Sequence, residues 1–160
     1  MIIGIPKEIK DHEYRVGATP DMVKGLIKAE HKVLVQSEAG DAIGFTDEMY
    51  TNAGAKIVKT AADVYAAEMI IKVKEPQSSE FSLLHEGQML FCYFHLAPDP
   101  EQTKELIKRK IIAIAYETVT DKQGRLPLLF PMSEIAGRIA IQAGATALQM
   151  ANGGRGVLLG

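Results

Sequence analysis

A single cysteine, Cys92, occurs in 160 residues, so no internal disulfide can form and a reducing compartment is expected. No run of Lys and Arg is present, and the net charge is only -2. That excludes the electrostatic footprint of a nucleic-acid binder or a basic membrane-surface patch. No apolar stretch approaches the ~18 residues that a bilayer span requires, and MIIGIPKEIK turns charged too early for a secretory signal. His, Cys, Asp and Glu show no zinc-ligand spacing, so no metal is expected. Internal repeats and low-complexity tracts are absent as well. What is present is 47% apolar and 24% charged residues, the balance of a cytoplasmic globular protein with a genuine core.

Strand-like and helix-like segments alternate along this composition. IIGI (2–5), KVLVQS, KIVK, MIIKVK (69–74), QMLFCYF (88–94) and IIAIAYE (111–117) read as six strands. The last three are near-continuous apolar runs, as in parallel strands buried on both faces. Thr19-Pro20 introduces a helix over DMVKGLIKAE, Thr46-Asp47 a short helix ending at Gly54, and Thr60 with Asp63 a capping box. QSSEFSLLHE and DPEQTKELIKRK fill the later crossovers, the second with acids first and bases last, as the helix dipole favours. The expected fold is α/β: a doubly wound, flavodoxin-like, mostly parallel sheet with flanking helices. A loop with Pro127 and Pro131 then breaks the rhythm, and a long helix over roughly 132–150 follows. It is apolar nearly all round and rich in alanine and glycine, which predicts burial on more than one side and an interface role. The expected division is 1–130 for the α/β domain and 131–160 for the interdomain helix and its glycine-rich continuation.

Three residues stand where strands should end: Arg15 in YRVGATP, Lys74 closing MIIKVK, and His95 after QMLFCYF. Ligands of open α/β sheets bind outside the carboxyl ends of the strands. Arg15 offers a planar fork that matches a carboxylate, although most arginines are simply exposed. Lys74 either snorkels to solvent or meets an anion. His95 can serve as general acid or base, or be a satisfied structural histidine. His12, His31 and His85 lie in polar contexts and read as surface residues; Cys92, mid-strand, reads as a buried structural thiol. Gly154, Gly156 and Gly160 imitate a dinucleotide fingerprint poorly, since they follow a helix and no acid follows them.

IGIPKEIKDHEYRVGATP, GFTDEMY, KVKEP, HLAPDPEQT, AIAYETV, LPLLFPMSEIAGR and NGGRGVLLG together resemble bacterial alanine dehydrogenase, in order and spacing from the first residue to the last. The nucleotide-binding α subunit of proton-translocating transhydrogenase is similar at the opening and the long helix but differs at KVKEP and HLAPDP. The resemblance implies NAD-dependent oxidative deamination of L-alanine to pyruvate and ammonia, and the reverse. It implies that Arg15 and Lys74 hold the substrate carboxylate, and that His95 bonds the developing carbonyl or carbinolamine oxygen and shuttles its proton. Tyr93, Leu129, Met132 and Ser133 match positions lining the substrate and nicotinamide pocket, with Ser133 on the cofactor side. Ala18 and Phe94 depart from the family pattern in size only.

Members of that family are more than twice this length and carry a nucleotide-binding domain after the long helix. The chain is therefore expected to be the N-terminal, substrate-side portion. It should be inactive alone, bind no NAD by itself, and pair as a homo-oligomer through 132–150, with hexamers implied for the intact family. The alternatives are a stand-alone small-carboxylate binding or interaction module and a transhydrogenase α-subunit-like domain.

Overall fold

The computed structural model describes residues 1–159. Six strands, β1 (Ile2–Ile5), β2 (Lys32–Gln36), β3 (Lys56–Val58), β4 (Met69–Lys74), β5 (Met89–Tyr93) and β6 (Ile112–Ala115), form one sheet in the order β3-β2-β1-β4-β5-β6. Every pairing within it is parallel. Five helices accompany them: α1 (Pro20–Lys28), α2 (Asp47–Asn52), α3 (Ala61–Tyr65), α4 (Pro100–Lys108) and α5 (Phe130–Leu148). The doubly wound parallel class is the one expected. The strand order, however, reverses between β1 and β4, as in dinucleotide-type sheets, whereas a flavodoxin sheet runs 2-1-3-4-5.

Register explains the two-sided winding. Ile3 pairs with Val33 and Ile5 with Val35, while Gly4 pairs with Ile70 and Ile70 with Leu90. Alternation therefore sends Ile5 and Val35 to one face and Ile70 and Leu90 to the other. Ile5 and Val35 share a core with Val23 of α1 and Tyr50 of α2. Ile70, Leu90 and Cys92 share another with Val64 and Tyr65 of α3 and Leu106 of α4. Gly4 makes close packing on the second face possible, because a Cβ there would lie 2.5 Å from the Val64 carbonyl oxygen.

The caps follow the sequence. Thr19 accepts from Met22 N, Thr46 from Met49 N, and Thr60 and Asp63 close a full capping box. QSSEFSLLHE is the exception among the crossovers. It forms only a 3₁₀ turn over Phe81–Leu83, and Glu80 just before that turn points inward, almost completely buried. The described chain divides into two compact units, Met1–Tyr116 and Glu117 onward, so the proline-containing loop groups with α5. Helix α5 begins at Phe130, two residues before the expected start, with Pro131 in its first turn. Burial was expected on more than one side of it, yet none of its residues is buried. No helix among the described residues is long and apolar enough to cross a membrane.

Candidate functional site

The strand order reverses between β1 and β4, and ligand crevices of such sheets open outside the carboxyl ends at that point. The chain leaving β1 forms the loop 6–19, which carries Arg15 across this end. Two contacts hold it there. Gly17 lies so close to β4 that a Cβ would stand 2.3 Å from the Ile71 carbonyl oxygen, so only glycine permits the approach. Tyr50, wholly buried, donates its hydroxyl proton to Ala18 O at 2.8 Å, and burial pushes its pKa up to about 12.

Arg15 does not stand alone. Its Nε donates to Glu13 Oε1 at 2.8 Å, its Nη2 to Glu13 Oε2 at 2.6 Å, and its backbone N to Glu13 Oε1 at 2.9 Å. The hydrogen bond from Arg15 lowers the Glu13 pKa below its ordinary 4.5, with a smaller contribution from Lys74. The same bond raises the pKa of Arg15, and Tyr93 and Glu8 add to the field around it. A cavity of about 270 Å³ is lined by Glu8, Glu13, Tyr14 and Arg15 from this loop and by Glu38, Ala39 and Asp41 beyond β2.

Lys74 ends β4, half-buried, and its Cα pairs in register with Tyr93 at the end of β5. Tyr93 packs edge-on against Tyr116, with ring centroids 4.8 Å apart, and Phe91 does the same at 4.1 Å. His95 follows two residues later, exposed, with φ at +51°. Left-handed backbone is uncommon for non-glycine residues and accumulates at functional turns. It is not diagnostic alone, since Glu30 and Lys110 adopt it at helix ends. The His95 turn is anchored by Gln102 of α4, whose Nε2 donates to Phe94 O at 3.3 Å, and by Asp99, which caps that helix.

Arg15, Lys74, Tyr93 and His95 thus gather at the carboxyl ends of β1, β4 and β5. Lys74, Tyr93 and His95 do not line the 270 Å³ cavity, whereas Arg15 does. Leu129, Met132 and Ser133 belong to the second unit, at the start of α5. Leu129 and Ser133 line an apolar cavity of about 610 Å³ there, with Leu126, Pro127 and Phe130, whereas Met132 does not. Among the other histidines, His12 and His85 are exposed and His31 is half-buried, and Cys92 is buried.

Sequence reasoning missed a buried charge cluster directly behind the site. Lys72, read as one letter in an apolar run, is fully buried with its Nζ 2.6 Å from Glu80 Oε1 and 3.4 Å from Glu8 Oε2. Tyr65 donates to Glu80 Oε1 at 2.8 Å, and Glu80 Oε2 accepts from Gln77 N at 2.7 Å. Glu8 Oε1 accepts from Val73 N at 2.6 Å and more weakly from Lys74 N at 3.4 Å, where the β4–β5 register shifts. Burial raises the Glu8 pKa against the opposing pull of Lys72 and these amides. The signal was available: a lysine in the middle of a strand buried on both faces requires a buried counter-ion.

Of the glycines that imitate a dinucleotide fingerprint, Gly160 lies outside the described residues. Gly154 N donates to Gln149 O at 2.9 Å and Gly156 N to Leu148 O at 2.8 Å, so these amides close the end of α5. Among the described residues no group of His, Cys, Asp or Glu is arranged to hold a metal.

The family described as alanine dehydrogenase/PNT, N-terminal domain, matches residues 4–136. An alanine dehydrogenase of Methanococcus maripaludis is 56% identical over 161 aligned positions, covering 100% of this chain and 43% of the relative. Alanine dehydrogenase 2 of Staphylococcus aureus is 52% identical, again over 100% of this chain and 43% of its own length. A solved L-alanine dehydrogenase superposes with a TM-score of 0.89 at 49% identity, covering 100% of this chain and 44% of that one. A transhydrogenase from Sinorhizobium meliloti gives 0.73 at 27% identity over 77% of this chain and 35% of that one. The chain spans less than half the length of the curated relatives it matches.

Proposed function

This chain belongs to the alanine dehydrogenase/PNT N-terminal domain family, and from that premise we propose that it is the substrate-side part of an NAD-dependent L-alanine dehydrogenase. The observation that carries the reading is the convergence of Arg15, Lys74, Tyr93 and His95 at one end of the sheet, at its switch point. Two cations there match the carboxylate shared by L-alanine and pyruvate. His95, exposed on a turn anchored by Gln102, is assigned the hydrogen bond to the developing carbonyl or carbinolamine oxygen and the shuttling of its proton. Tyr93 is assigned to one wall of the substrate pocket.

NAD would supply the hydride-accepting chemistry of the reaction. The residues described do not fit its pyrophosphate, since the glycine amides after α5 are given to helix carbonyls. The dinucleotide is therefore assigned to sequence that the relatives have beyond the matched portion, with Ser133 touching only its nicotinamide end. The 160-residue chain alone should not reduce NAD with alanine, because the reacting atoms must be held aligned at about 3–3.5 Å.

In a full-length enzyme carrying this sequence, His95→Ala should lower turnover by about 10²-fold or more. Arg15→Ala should chiefly raise the KM for pyruvate, since that contact exists in ground and transition states alike. Steady-state kinetics across pH checks both, and near-normal turnover of the His95 variant rules out its assigned role. The reading includes a homo-oligomer paired through the α5 region.

A further inference from the structure

A bidentate carboxylate already sits on Arg15, and what it does there decides how the site meets a ligand. Glu13 engages the side-on pair of the guanidinium, Nε and Nη2, at 2.8 and 2.6 Å. That leaves the Nη1 side, and arginine has a second, end-on fork there of the same geometry. The two partners differ sharply in exposure: the Glu13 side chain is 6% exposed and that of Arg15 47%. The acid is the inner member and the guanidinium reaches outward from it. Glu13 Oε1 also accepts from Arg15 N at 2.9 Å, so one carboxylate fixes both the backbone and the head group of the same residue. A mobile competitor for the guanidinium would be exposed and singly bonded; Glu13 is neither.

We propose that Glu13 is a positioning residue for Arg15: it clamps the guanidinium side-on so that its end-on fork faces the ligand carboxylate. This rests on the reading of Arg15 as a carboxylate contact. An unclamped arginine would have to lose several rotatable bonds of freedom each time a carboxylate arrived, and would reach toward Glu38, Asp41 or Glu8, which line the same cavity. Pre-ordering removes that entropy cost from the binding step. The charge removed by pairing is partly restored by Lys74, whose field reaches Glu13.

The opposite hypothesis, that Glu13 occupies the substrate's place and must be expelled, predicts effects of opposite sign. Arginine side-chain Nε–Hε spectra of the isotopically labelled 160-residue chain, with Arg15→Lys identifying the resonance, report the clamp directly. The Arg15 signal should be slow to exchange with water in the unmodified chain and fast in Glu13→Gln. Titration with sodium pyruvate, followed by the amides of residues 15–18, should then give a Kd about tenfold or more higher in Glu13→Gln, the expected size for losing orientation by a charged hydrogen bond. Glu13→Asp, which keeps the charge, should restore part of the affinity; a merely structural role would not separate these two variants at equal melting temperature. An unchanged or tighter Kd in Glu13→Gln overturns the proposal, as does an unprotected Arg15 Nε–Hε in the unmodified chain. Absence of any pyruvate-induced shift in the unmodified chain while the Nε–Hε signal stays protected overturns the carboxylate-site reading itself, and this proposal with it.

Discussion

Residues 1–116 bury Ile5, Val35, Ile70 and Leu90 completely, whereas α5 in the second unit has no buried residue and leaves Ile135, Ile139 and Ile141 more than half exposed. Both units are rich in apolar side chains, so composition does not separate them. The difference lies in what the backbone supplies. A parallel sheet offers two faces, and helices connected by short crossovers cover both within one unit. A single helix offers no partner surface of its own, and apolar residues on every side need other chain to cover them. The first unit carries its stability internally, down to a buried ion cluster. The second leaves its apolar residues on the surface.

The harshest way to break the first unit is to remove the cation at its centre. Lys72→Met leaves Glu8 and Glu80 buried without a counter-ion and should cost about 3–5 kcal/mol, read from denaturant unfolding. Replacing both acids by glutamine in the same background should recover most of it, because an apolar residue with neutral neighbours avoids the stranded charge. No loss in the single variant would mean that the cluster is not buried in solution.

Gly17→Ala should come next, at about 1–3 kcal/mol, the cost of overpacking against a backbone that cannot yield. Its Cβ would meet the Ile71 carbonyl, so either β4 or the Arg15 loop has to move. Amide shift changes concentrated in residues 13–18 and 71–74 are the expected signature, and a variant with unaltered spectra contradicts the close approach.

Changes in the second unit should behave oppositely. Ile135→Asp combined with Ile139→Asp should leave the unfolding free energy of the first unit unchanged to within about 0.5 kcal/mol, as for exposed sites. It should instead shift sedimentation toward monomer, since two charges would enter the apolar surface assigned to pairing. A monomeric unmodified chain at tens of micromolar would refute the pairing.

The smallest effect is that of acid on the Arg15 loop. The folded-state pKa of Glu13 lies below its ordinary 4.5, held down chiefly by Arg15. The unfolded chain therefore binds that proton more readily, and stability from the pair is present above 4.5 and lost as pH falls through the lowered folded value. Between neutrality and pH 4.5 the Arg15 Nε–Hε signal should remain protected, and it should fade only below. Fading near neutrality would point to a different partner.

The alternation of β and α signals, the caps at Thr19, Thr46 and Thr60, and the placement of Arg15, Lys74 and His95 at strand ends were legible along the chain. They depend on residue type and on spacing of a few positions, where backbone geometry is local. The buried partners were not legible. Lys72, Glu8 and Glu80 lie in three separate segments, and Glu13 reads as one more acid in a polar loop until its distance to Arg15 is known.

By itself the sequence determined the class of fold, the six strands, the caps at Thr19, Thr46 and Thr60 and the edge at which charged residues collect, because periodicity and capping are short-range properties of the chain. Only the tertiary structure decided the strand order with its reversal between β1 and β4, the approach of Gly17 to Ile71, and which acid answers which base. Those depend on contacts between residues such as Glu8 and Val73, far apart in sequence, whose energies exist only once the sheet has closed around them.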